Sequence, residues 1–435
     1  MPEHGSLSHE PLRPARHHSA RPAVRCALAA TCTAFLLLFA LGCSAPSAGP
    51  AAYPATEFSG ASDESSPESA STGQPPSSPV GESSAAERAA EAIASLTLEQ
   101  KVAQLFVVRP EAITGVGTAT RAGATTERSL HDYPVGGIVY FKKNLIDADQ
   151  AKTMIANSQA YSEDAVGLPL FACVDEEGGT VSRIGGNAGF GIADVGSMAD
   201  IGASGDTARA KTVASTIGGY LGDLGFNVDF APDADIRGDS ATDVMALRSF
   251  GTDAALVASM VSAQVEGFAE TGVLCSAKHF PGIGGLVGDS HEGAVVSNKS
   301  LDELRATELA PFQAAIEAGV PIIMVGHLSA PNAFGSSVPA ALNAAAVTDL
   351  LRGELGFEGL IITDSMEMGA VDDYAAPDEA GVMALQAGAD LVLMPADFHA
   401  AYQGVLDAVA NGTLSEERID ESVSRIVRTK LELAA

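Results

Sequence analysis

No tryptophan occurs among the 435 residues of the sequence, and cysteine occurs only five times. Small secreted scaffolds that are held together by disulfides need a much higher density of cysteine, so that class is excluded. The lack of tryptophan speaks against a surface that grips long, insoluble polysaccharide, because sugar faces usually stack on aromatic rings.

Basic side chains are also scarce: 25 lysines and arginines face 55 aspartates and glutamates, which gives a formal net charge of -30. Such a chain repels phosphate backbones and anionic bilayers, and the sequence has no basic patch, so we expect no nucleic-acid partner. Apolar residues nevertheless make up 46% of the chain. This fraction excludes general disorder and indicates a large buried core.

The N-terminal region has the pattern of a secretory signal. Four arginines precede an apolar run from Cys26 to Leu41, which is shorter than the roughly 20 residues of a membrane span. The run ends at Gly42 and Cys43 as in the lipobox of bacterial lipoproteins, although the leucine stands one place later than in most such boxes. We expect a signal peptide over residues 1–42 and lipidation of Cys43. An ordinary cleaved signal or an uncleaved anchor is the alternative.

Residues 43–89 consist almost entirely of serine, proline, alanine, glycine and glutamate and show no apolar periodicity. Segments of this composition form disordered tethers. A lipid at Cys43 followed by a tether predicts a folded domain over residues 90–435, held at the outer face of a bacterial cell membrane. We expect contact with the membrane only through the lipid.

From residue 97 onward, short apolar runs alternate with helical stretches. Thr97 and Gln100 form a capping-box pattern that opens one such stretch, and Ser300 and Glu303 open another, which closes at Gly319. Eight runs have the continuous apolar character of parallel strands covered on both faces: residues 103–108, 136–141, 169–174, 226–230, 272–277, 321–325, 360–363 and 390–394. Eight strand-helix alternations predict an α/β fold, a (β/α)8 TIM-type barrel in one domain. A doubly wound sheet is the alternative.

In such a barrel, functional side chains lie on the loops that follow the strands. The residues at those positions are strongly polar, and Arg248 lies between the fourth and fifth runs. The other candidates are Asp175 and Arg183 after the third run, Lys278, His279, Asp289 and His291 after the fifth, His327 after the sixth and Asp364 after the seventh.

Each candidate taken alone has an ordinary structural explanation. Asp364 has the position of a helix cap. Asp289 and His291 have the spacing of a solvated surface pair, and Arg183 and Arg248 are explained as salt-bridged arginines. The apolar neighbours of Arg248 predict a buried partner for it.

Cofactor sites are not indicated by the spacing of the candidates. The histidines and carboxylates lack the paired histidine spacing of a zinc site, so we expect no metal. The glycines from Gly282 to Gly288 precede a loop rather than a helix, which speaks against a dinucleotide-binding turn. Cys173 and Cys275 lie within apolar runs and are expected to be buried free thiols.

In combination, the motifs closely resemble glycoside hydrolase family 3, in its β-N-acetylhexosaminidase branch. The resemblance covers roughly residues 95 to 432, and it is carried by Lys278-His-Phe-Pro-Gly282 with Asp289-Ser-His291, Asp175-Glu-Glu-Gly-Gly179, Leu247-Arg-Ser-Phe-Gly251 and Thr363-Asp364. The pairing of the first two motifs is highly specific. Thr363-Asp-Ser-Met stands where Ser-Asp-Asp-Leu is common, and Thr180 stands where an arginine often follows the glycines, which leaves the substrate open.

The resemblance implies a retaining double displacement. By it, Asp364 is the nucleophile, His291 the general acid/base and Asp289 the carboxylate that orients His291. The residues that hold the non-reducing-end sugar are, by the same resemblance, Asp175, Arg183, Arg248, Lys278 and His279.

The implied enzyme is an exo-β-N-acetylglucosaminidase that trims small chitin or cell-wall glycans without a cofactor, and we expect a monomer. The family's glucosidase branch takes its acid/base from a second domain, whereas here the last predicted helix ends the chain, so a one-domain enzyme is expected. A histidine acid admits an anionic acceptor, which leaves a phosphorylase as an alternative. The second alternative is a noncatalytic sugar-binding lipoprotein. The presence of both Asp364 and His291 argues against it.

Overall fold

The computed structural model of the protein describes residues 85–238, 243, 245–286, 293 and 295–433. The predicted signal peptide, Cys43, most of the predicted tether and the loop residues Asp289 and His291 lie outside them. Within the described residues, no helix combines the length and the apolar character that crossing a bilayer requires.

Ten strands occur in the described part of the chain, and eight of them form one parallel sheet. In chain order they are β1 (Phe106–Val108), β2 (Gly137–Val139), β3 (Phe171–Val174), β4 (Val228–Asp229), β5 (Leu274–Phe280), β6 (Val295–Val296), β7 (Ile322–Val325), β8 (Leu328–Ser329), β9 (Leu360–Thr363) and β10 (Val392–Leu393). The sheet order is β10-β1-β2-β3-β4-β5-β7-β9. A parallel bridge between Ile362 and Leu391 joins β9 to β10 and closes the barrel. The predicted barrel is therefore confirmed, and the doubly wound alternative is wrong.

The barrel strands coincide with the predicted apolar runs because their side chains are buried on both faces. Every residue of β1, β2, β3 and β9 is buried. The first run was predicted from residue 103, but the strand begins at Phe106, because the helix opened by the Thr97 capping box continues to Gln104. The small parallel sheet of β6 and β8 was not predicted.

Helices connect the strands, and several start at an aspartate that caps them. Asp147, Asp206, Asp253 and Asp397 each accept a backbone N–H of the first turn. The helices are α1 (Ala85–Ser95), α2 (Leu98–Gln104), α3 (Pro110–Thr114), α4 (Ala124–Asp132), α5 (Ala148–Val166), α6 (Met198–Ala203), α7 (Thr207–Leu224), α8 (Ala254–Ala269), α9 (Leu301–Ala306), α10 (Leu309–Glu317), α11 (Pro331–Phe334), α12 (Gly369–Asp372), α13 (Pro377–Ala387), α14 (Phe398–Ala410) and α15 (Glu416–Leu433). Two 3₁₀ turns (Lys142–Asn144, Ala340–Leu342) and a π-helix (Ala345–Glu354) complete the set.

Two predicted helical boundaries differ from the structure. Residues 85–89, assigned to the tether, are helical, and Ala89 is buried in the core, because α1 packs on α15. The stretch from Ser300 to Gly319 is interrupted at Thr307, whose backbone leaves the helical region, so it forms α9 and α10. The Ser300 capping box itself is present as predicted.

Candidate active site

A cavity of about 820 Å³ opens at the carboxyl ends of the barrel strands, within the size range of small-molecule sites, about 300–1,000 Å³. Six of the eight predicted catalytic and sugar-binding residues line it: Asp175, Arg183, Arg248, Lys278, His279 and Asp364. They come from four separate segments of the chain, and the parallel barrel brings these together because all of its strands end at one face.

Lys278 is the most enclosed cation of the cavity. It lies on β5 with 3% of its surface exposed, and its Nζ is 2.6 Å from Glu177 Oε1 and 3.0 Å from Asp175 Oδ1. Burial opposes the charge, but the two carboxylates outweigh it and raise the pKa of Lys278 above its ordinary value. The ammonium is therefore a fixed positive charge at the base of the cavity.

Arg248 has the buried partner that the sequence predicts. Its Nε and Nη2 donate to the two oxygens of Glu177 at 2.8 and 2.7 Å, and Asp233 Oδ2 is 3.4 Å from Nη2. Although burial raises the pKa of Glu177, Lys278 and Arg248 together hold it well below its ordinary value. Glu177 thus joins the two cations in one ion-pair network.

Glu177 was not singled out from the sequence, although it lies within the Asp175-Glu-Glu-Gly-Gly179 motif. The signal available was the buried partner predicted for Arg248, for which no carboxylate had been named. Ion pairs buried at this depth need matched charges and satisfied hydrogen bonds.

Glu176, the neighbouring carboxylate, points away from the cavity and anchors the loop. It is fully buried and accepts hydrogen bonds from Ser182 Oγ (2.6 Å), Arg183 N (2.6 Å), Ile184 N (3.0 Å), Gly185 N (2.7 Å) and Tyr220 Oη (2.8 Å). These bonds fold the chain back after β3 and place the Arg183 side chain 3.5 Å from Asp175. This role was also missed by the sequence reasoning.

Asp364 follows β9 directly and extends its pairing, since its N–H donates to Val325 O at 2.8 Å. Its Oδ1 accepts the N–H of Ser365 at 2.7 Å. The next helix, α12, begins at Gly369 with Met368 as its N-cap residue, so the helix-cap explanation of Asp364 is wrong. Burial raises its pKa, but nearby His279 and His327 outweigh that and lower it. A carboxylate that stays ionised in a buried site is suited to nucleophilic attack.

His279 lies at the end of β5, and its ring Nδ1 is 2.7 Å from Asp235 Oδ2. Burial lowers the pKa of His279, but Asp235 outweighs burial and the pKa is raised overall.

His327, in contrast, has its pKa lowered by burial, and its Nε2 is 2.9 Å from Ser365 O. Because a carbonyl only accepts, we assign the His327 proton to Nε2.

Asp233, Asp235 and His279 offer three potential metal-ligand atoms within 4.8 Å of one another. The Arg248 guanidinium, however, lies 3.4 Å from Asp233 Oδ2 and 3.5 Å from His279 Nε2. A second cation among these groups would be repelled, so we interpret them as part of the ion-pair network. Burial and the neighbouring Asp235 raise the pKa of Asp233 to about 7.

The mouth of the cavity carries further cations. Arg109 forms an ion pair with Glu367, and Lys143 lies 3.5 Å from Glu111. Lys142 is exposed at the same rim.

The buried thiols Cys173 and Cys275 are free, as predicted, and do not line the cavity.

Residues 97–429 match the family model described as the glycosyl hydrolase family 3 N terminal domain. Beta-hexosaminidase A of Pseudoalteromonas piscicida is 34% identical over 326 residues, which are 69% of this chain and 54% of that protein. The chain thus spans about half the length of this relative. Beta-hexosaminidase LpqI of Mycobacterium tuberculosis is 33% identical over 356 residues, 78% of this chain and 84% of LpqI.

Among solved structures, a glycoside hydrolase family 3 beta-N-acetylglucosaminidase from a Paenibacillus species superposes with a TM-score of 0.73 and 36% identity, covering 78% of this chain and 63% of that one. The structure of LpqI gives a TM-score of 0.68 at 32% identity, with 79% and 96% of the two chains covered. With the family model matched across nearly the whole described barrel, the chain belongs to glycoside hydrolase family 3.

Proposed function

We propose that the protein is a retaining exo-β-N-acetylglucosaminidase that removes N-acetylglucosamine from the non-reducing end of small glycans. The observation that carries the proposal is the convergence of Asp175, Arg248, Lys278 and His279 beside Asp364 in one cavity. Relatives that bear the name beta-hexosaminidase support this choice of sugar.

The proposed reaction begins with attack of an Asp364 carboxylate oxygen on the anomeric carbon. The glycosidic oxygen leaves with a proton from His291, and a water molecule then cleaves the glycosyl ester while His291 takes a proton from it. Asp289 orients His291 in this scheme. The roles of these two residues rest on the family resemblance, since both lie outside the described residues.

The exo-action follows from the enclosure of the sugar-binding groups. Lys278 and His279 expose only 3% and 6% of their surface, and Glu177 and Asp175 hold Lys278 in place. A terminal sugar reaches such groups with its hydroxyls, whereas an internal residue of a long chain would need an open path on both sides. Charged hydrogen bonds to the hydroxyls then fix the anomeric carbon opposite Asp364.

A phosphorylase is the second candidate, and the cations at the mouth favour it. Lys142 is exposed at the rim beside Arg109 and Lys143, which pair with Glu367 and Glu111, and phosphate would be attracted to the Lys142 charge. Hydrolysis remains the first proposal because water needs no binding site of its own.

We further propose that Cys43 carries a lipid that holds the domain at the outer face of the cell membrane, where cell-wall fragments are the substrates.

The test is to incubate the full chain with an aryl N-acetylglucosaminide and with an aryl glucoside, each with and without phosphate. We expect free N-acetylglucosamine of retained configuration, released at a rate that phosphate does not change. Asp364→Ala should lose about 10³-fold or more in kcat/KM, whereas Asp373→Ala, an exposed aspartate nine residues further on, should not. A sugar phosphate as the product would favour the phosphorylase, and mid-length fragments from a labelled chitin oligomer would contradict exo-action.

A further inference from the structure

The His279 ring is held in the cavity wall by the carboxylate of Asp235, in the loop after β4. Asp235 is fully buried and His279 is 6% exposed. Asp235 Oδ2 lies 2.7 Å from the ring Nδ1 and also accepts the His279 backbone N–H at 3.3 Å. Its Oδ1 accepts the N–H of Ile283 at 2.7 Å.

We propose that Asp235 is a positioning residue of the reaction: its buried carboxylate accepts the Nδ1–H of the His279 ring and thereby fixes the orientation of that ring and its electrostatic effect on Asp364. The inference rests on the proposed function, because it concerns the same nucleophile, but it assigns a residue to which neither the sequence motifs nor the catalytic scheme gives a role.

The contacts of Asp235 determine which ring nitrogen carries a proton. Both of its oxygens already accept backbone N–H groups, which is the arrangement of an ionised, acceptor-only carboxylate. The Nδ1 that faces Oδ2 at hydrogen-bond distance must therefore donate. Nε2 is left turned toward the cavity and Arg248.

The charges around the ring favour its protonated form. Asp235 contacts it directly, Asp364 acts on it from the loop after β9, and Arg248 and His327 oppose its charge. Glu177 Oε1 neutralises Arg248 at 2.7 Å from Nη2, and Asp233, whose pKa is raised to about 7, faces both Arg248, at 3.4 Å, and the His279 ring. Burial alone would lower the pKa of His279, but the carboxylates of Asp235 and Asp364 outweigh burial, so the pKa is raised above its ordinary value.

Asp364 is stabilised by this charge together with those of His327 and Lys278 and the N–H of Ser365. In the described part of the chain, no lysine, arginine or histidine nitrogen forms an ion pair with its carboxylate. A buried anion without a direct cation needs a nearby positive charge to remain ionised. Among the groups that lower the pKa of Asp364 against burial, His279 is the strongest.

The decisive experiment is the pH dependence of kcat/KM for Asp235→Asn in the full chain. The asparagine amide has no charge, and its N–H₂ must face either the ring or the N–H of Ile283. Nδ1 therefore loses its anionic acceptor, and the ring loses its positive charge. The pKa of Asp364 should then rise, and the acid limb of kcat/KM should move up by about one pH unit, a loss of about 10-fold on the acid side. Asp235→Glu, which keeps the charge, should restore part of this shift.

Asp206→Asn is the matched control, because it removes the same charge from the exposed cap of α7, where an amide oxygen can still accept the backbone N–H groups. Its profile should overlay that of the wild type. A uniform loss of activity in Asp235→Asn with an unmoved acid limb would mean a merely structural role and overturn the proposal.

A second measurement does not need turnover or the variant. In ¹⁵N-histidine spectra of the wild type, the His279 ring should titrate above the range of free histidine, with a proton on Nδ1 throughout. A ring that is neutral at pH 6, or that carries its single proton on Nε2, would refute the inference even if the enzyme is active. A wild type that releases no sugar would refute the proposed function instead, while the ring titration still decides the role of Asp235.

Discussion

At the scale of single residues, the cavity depends on buried charges that are matched in pairs. Glu177 serves both Lys278 and Arg248, and Asp235 serves His279. Removing one partner from such a pair leaves the other charge buried without compensation, which costs more than the pair itself contributes. The proposed sugar-binding residues are therefore held rigidly before a ligand arrives, and less ordering would be needed on binding.

The role of His291 can be tested through the leaving group. In His291→Ala, a nitrophenyl glycoside should still form the glycosyl ester on Asp364, because a phenolate leaves without a proton. Water attacks that ester slowly without a base, so the adduct should accumulate. Added azide needs no deprotonation and should restore turnover, giving a glycosyl azide of retained configuration, measured by NMR of the product.

Asp364→Ala provides the contrast for this experiment. It lacks the nucleophile, so a natural disaccharide and an aryl glycoside should both be cleaved slowly. Near wild-type cleavage of a natural disaccharide by both variants would refute the mechanism. A different outcome is that azide rescues Asp364→Ala and gives an inverted product, but does not change the activity of His291→Ala. This result would support Asp364 as the nucleophile and exclude His291 as the acid/base.

At the scale of elements, helix α15 closes the barrel on the side away from the cavity and inserts a lysine into the core. Lys430 is fully buried. Its Nζ donates to Gln104 Oε1 at 2.7 Å and lies 5.1 Å from the centre of the Phe171 ring. No carboxylate pairs with it in the described residues, and burial lowers its pKa to about 7.

Lys430 should make the stability of the fold depend on pH. Its pKa in the folded state, about 7, is below its ordinary value of 10.5, so between these values the unfolded chain binds more protons than the folded one. The free energy of unfolding therefore gains a contribution that rises from pH 7 to pH 10. Lys430→Met carries no such charge, and the difference in unfolding free energy between wild type and variant should change across this window.

Urea unfolding followed by circular dichroism at pH 7, 8, 9 and 10 measures this difference. Arg428→Met is a suitable control, because it removes a positive charge from an exposed position two residues away on the same helix. Parallel curves for wild type and Lys430→Met would mean that Lys430 remains charged in the folded state.

At the scale of the whole molecule, the distribution of charge separates the cavity from the rest. The sequence has a net charge of -30, yet six lysines and arginines line the cavity: Arg109, Lys142, Lys143, Arg183, Arg248 and Lys278. Four carboxylates line it as well, Asp175, Glu177, Asp364 and Glu367, so that, with neutral His279, the lining has a formal net charge of +2 in an acidic protein. Small polar ligands can enter it, while polyanions such as nucleic acids are repelled by the remaining surface.

The proposed anchor is tested on the full-length protein in a bacterial host. Wild type should partition into detergent, and mass spectrometry of its N-terminus should show an acylated Cys43. Cys43→Ala should remain in the aqueous phase with nearly unchanged kcat/KM, because a predicted tether separates the lipid from the barrel. An unmodified N-terminal residue other than Cys43 in the wild type would contradict the lipoprotein proposal.

Periodicity was enough to predict the barrel, because most positions of its strands are buried and apolar. The polar exceptions, such as Asp229 in β4 and Lys278 and His279 in β5, are few enough to leave the apolar runs recognisable. Periodicity failed at the ends of elements. Residues 103–105 (Ala-Gln-Leu) and 85–89 (Ala-Ala-Glu-Arg-Ala) are too short to show a period of their own, and only packing decides whether they belong to a helix. The short strands β6 and β8 carry no comparable apolar run, and within the described residues they pair with each other.

The sequence by itself determined the eight-strand barrel, the face on which the polar loops lie, and six of the residues that line the cavity, because these follow from local patterns and from the motifs. Only the tertiary structure decided the partners of those residues. Glu177, Asp233 and Asp235 lie 71, 15 and 44 residues from the Arg248 and His279 groups that they contact. Which carboxylate pairs with which cation depends on the side chains that point into the closed barrel. An ion pair between residues far apart in the chain produces no periodic pattern in the sequence, so the sequence alone does not predict it.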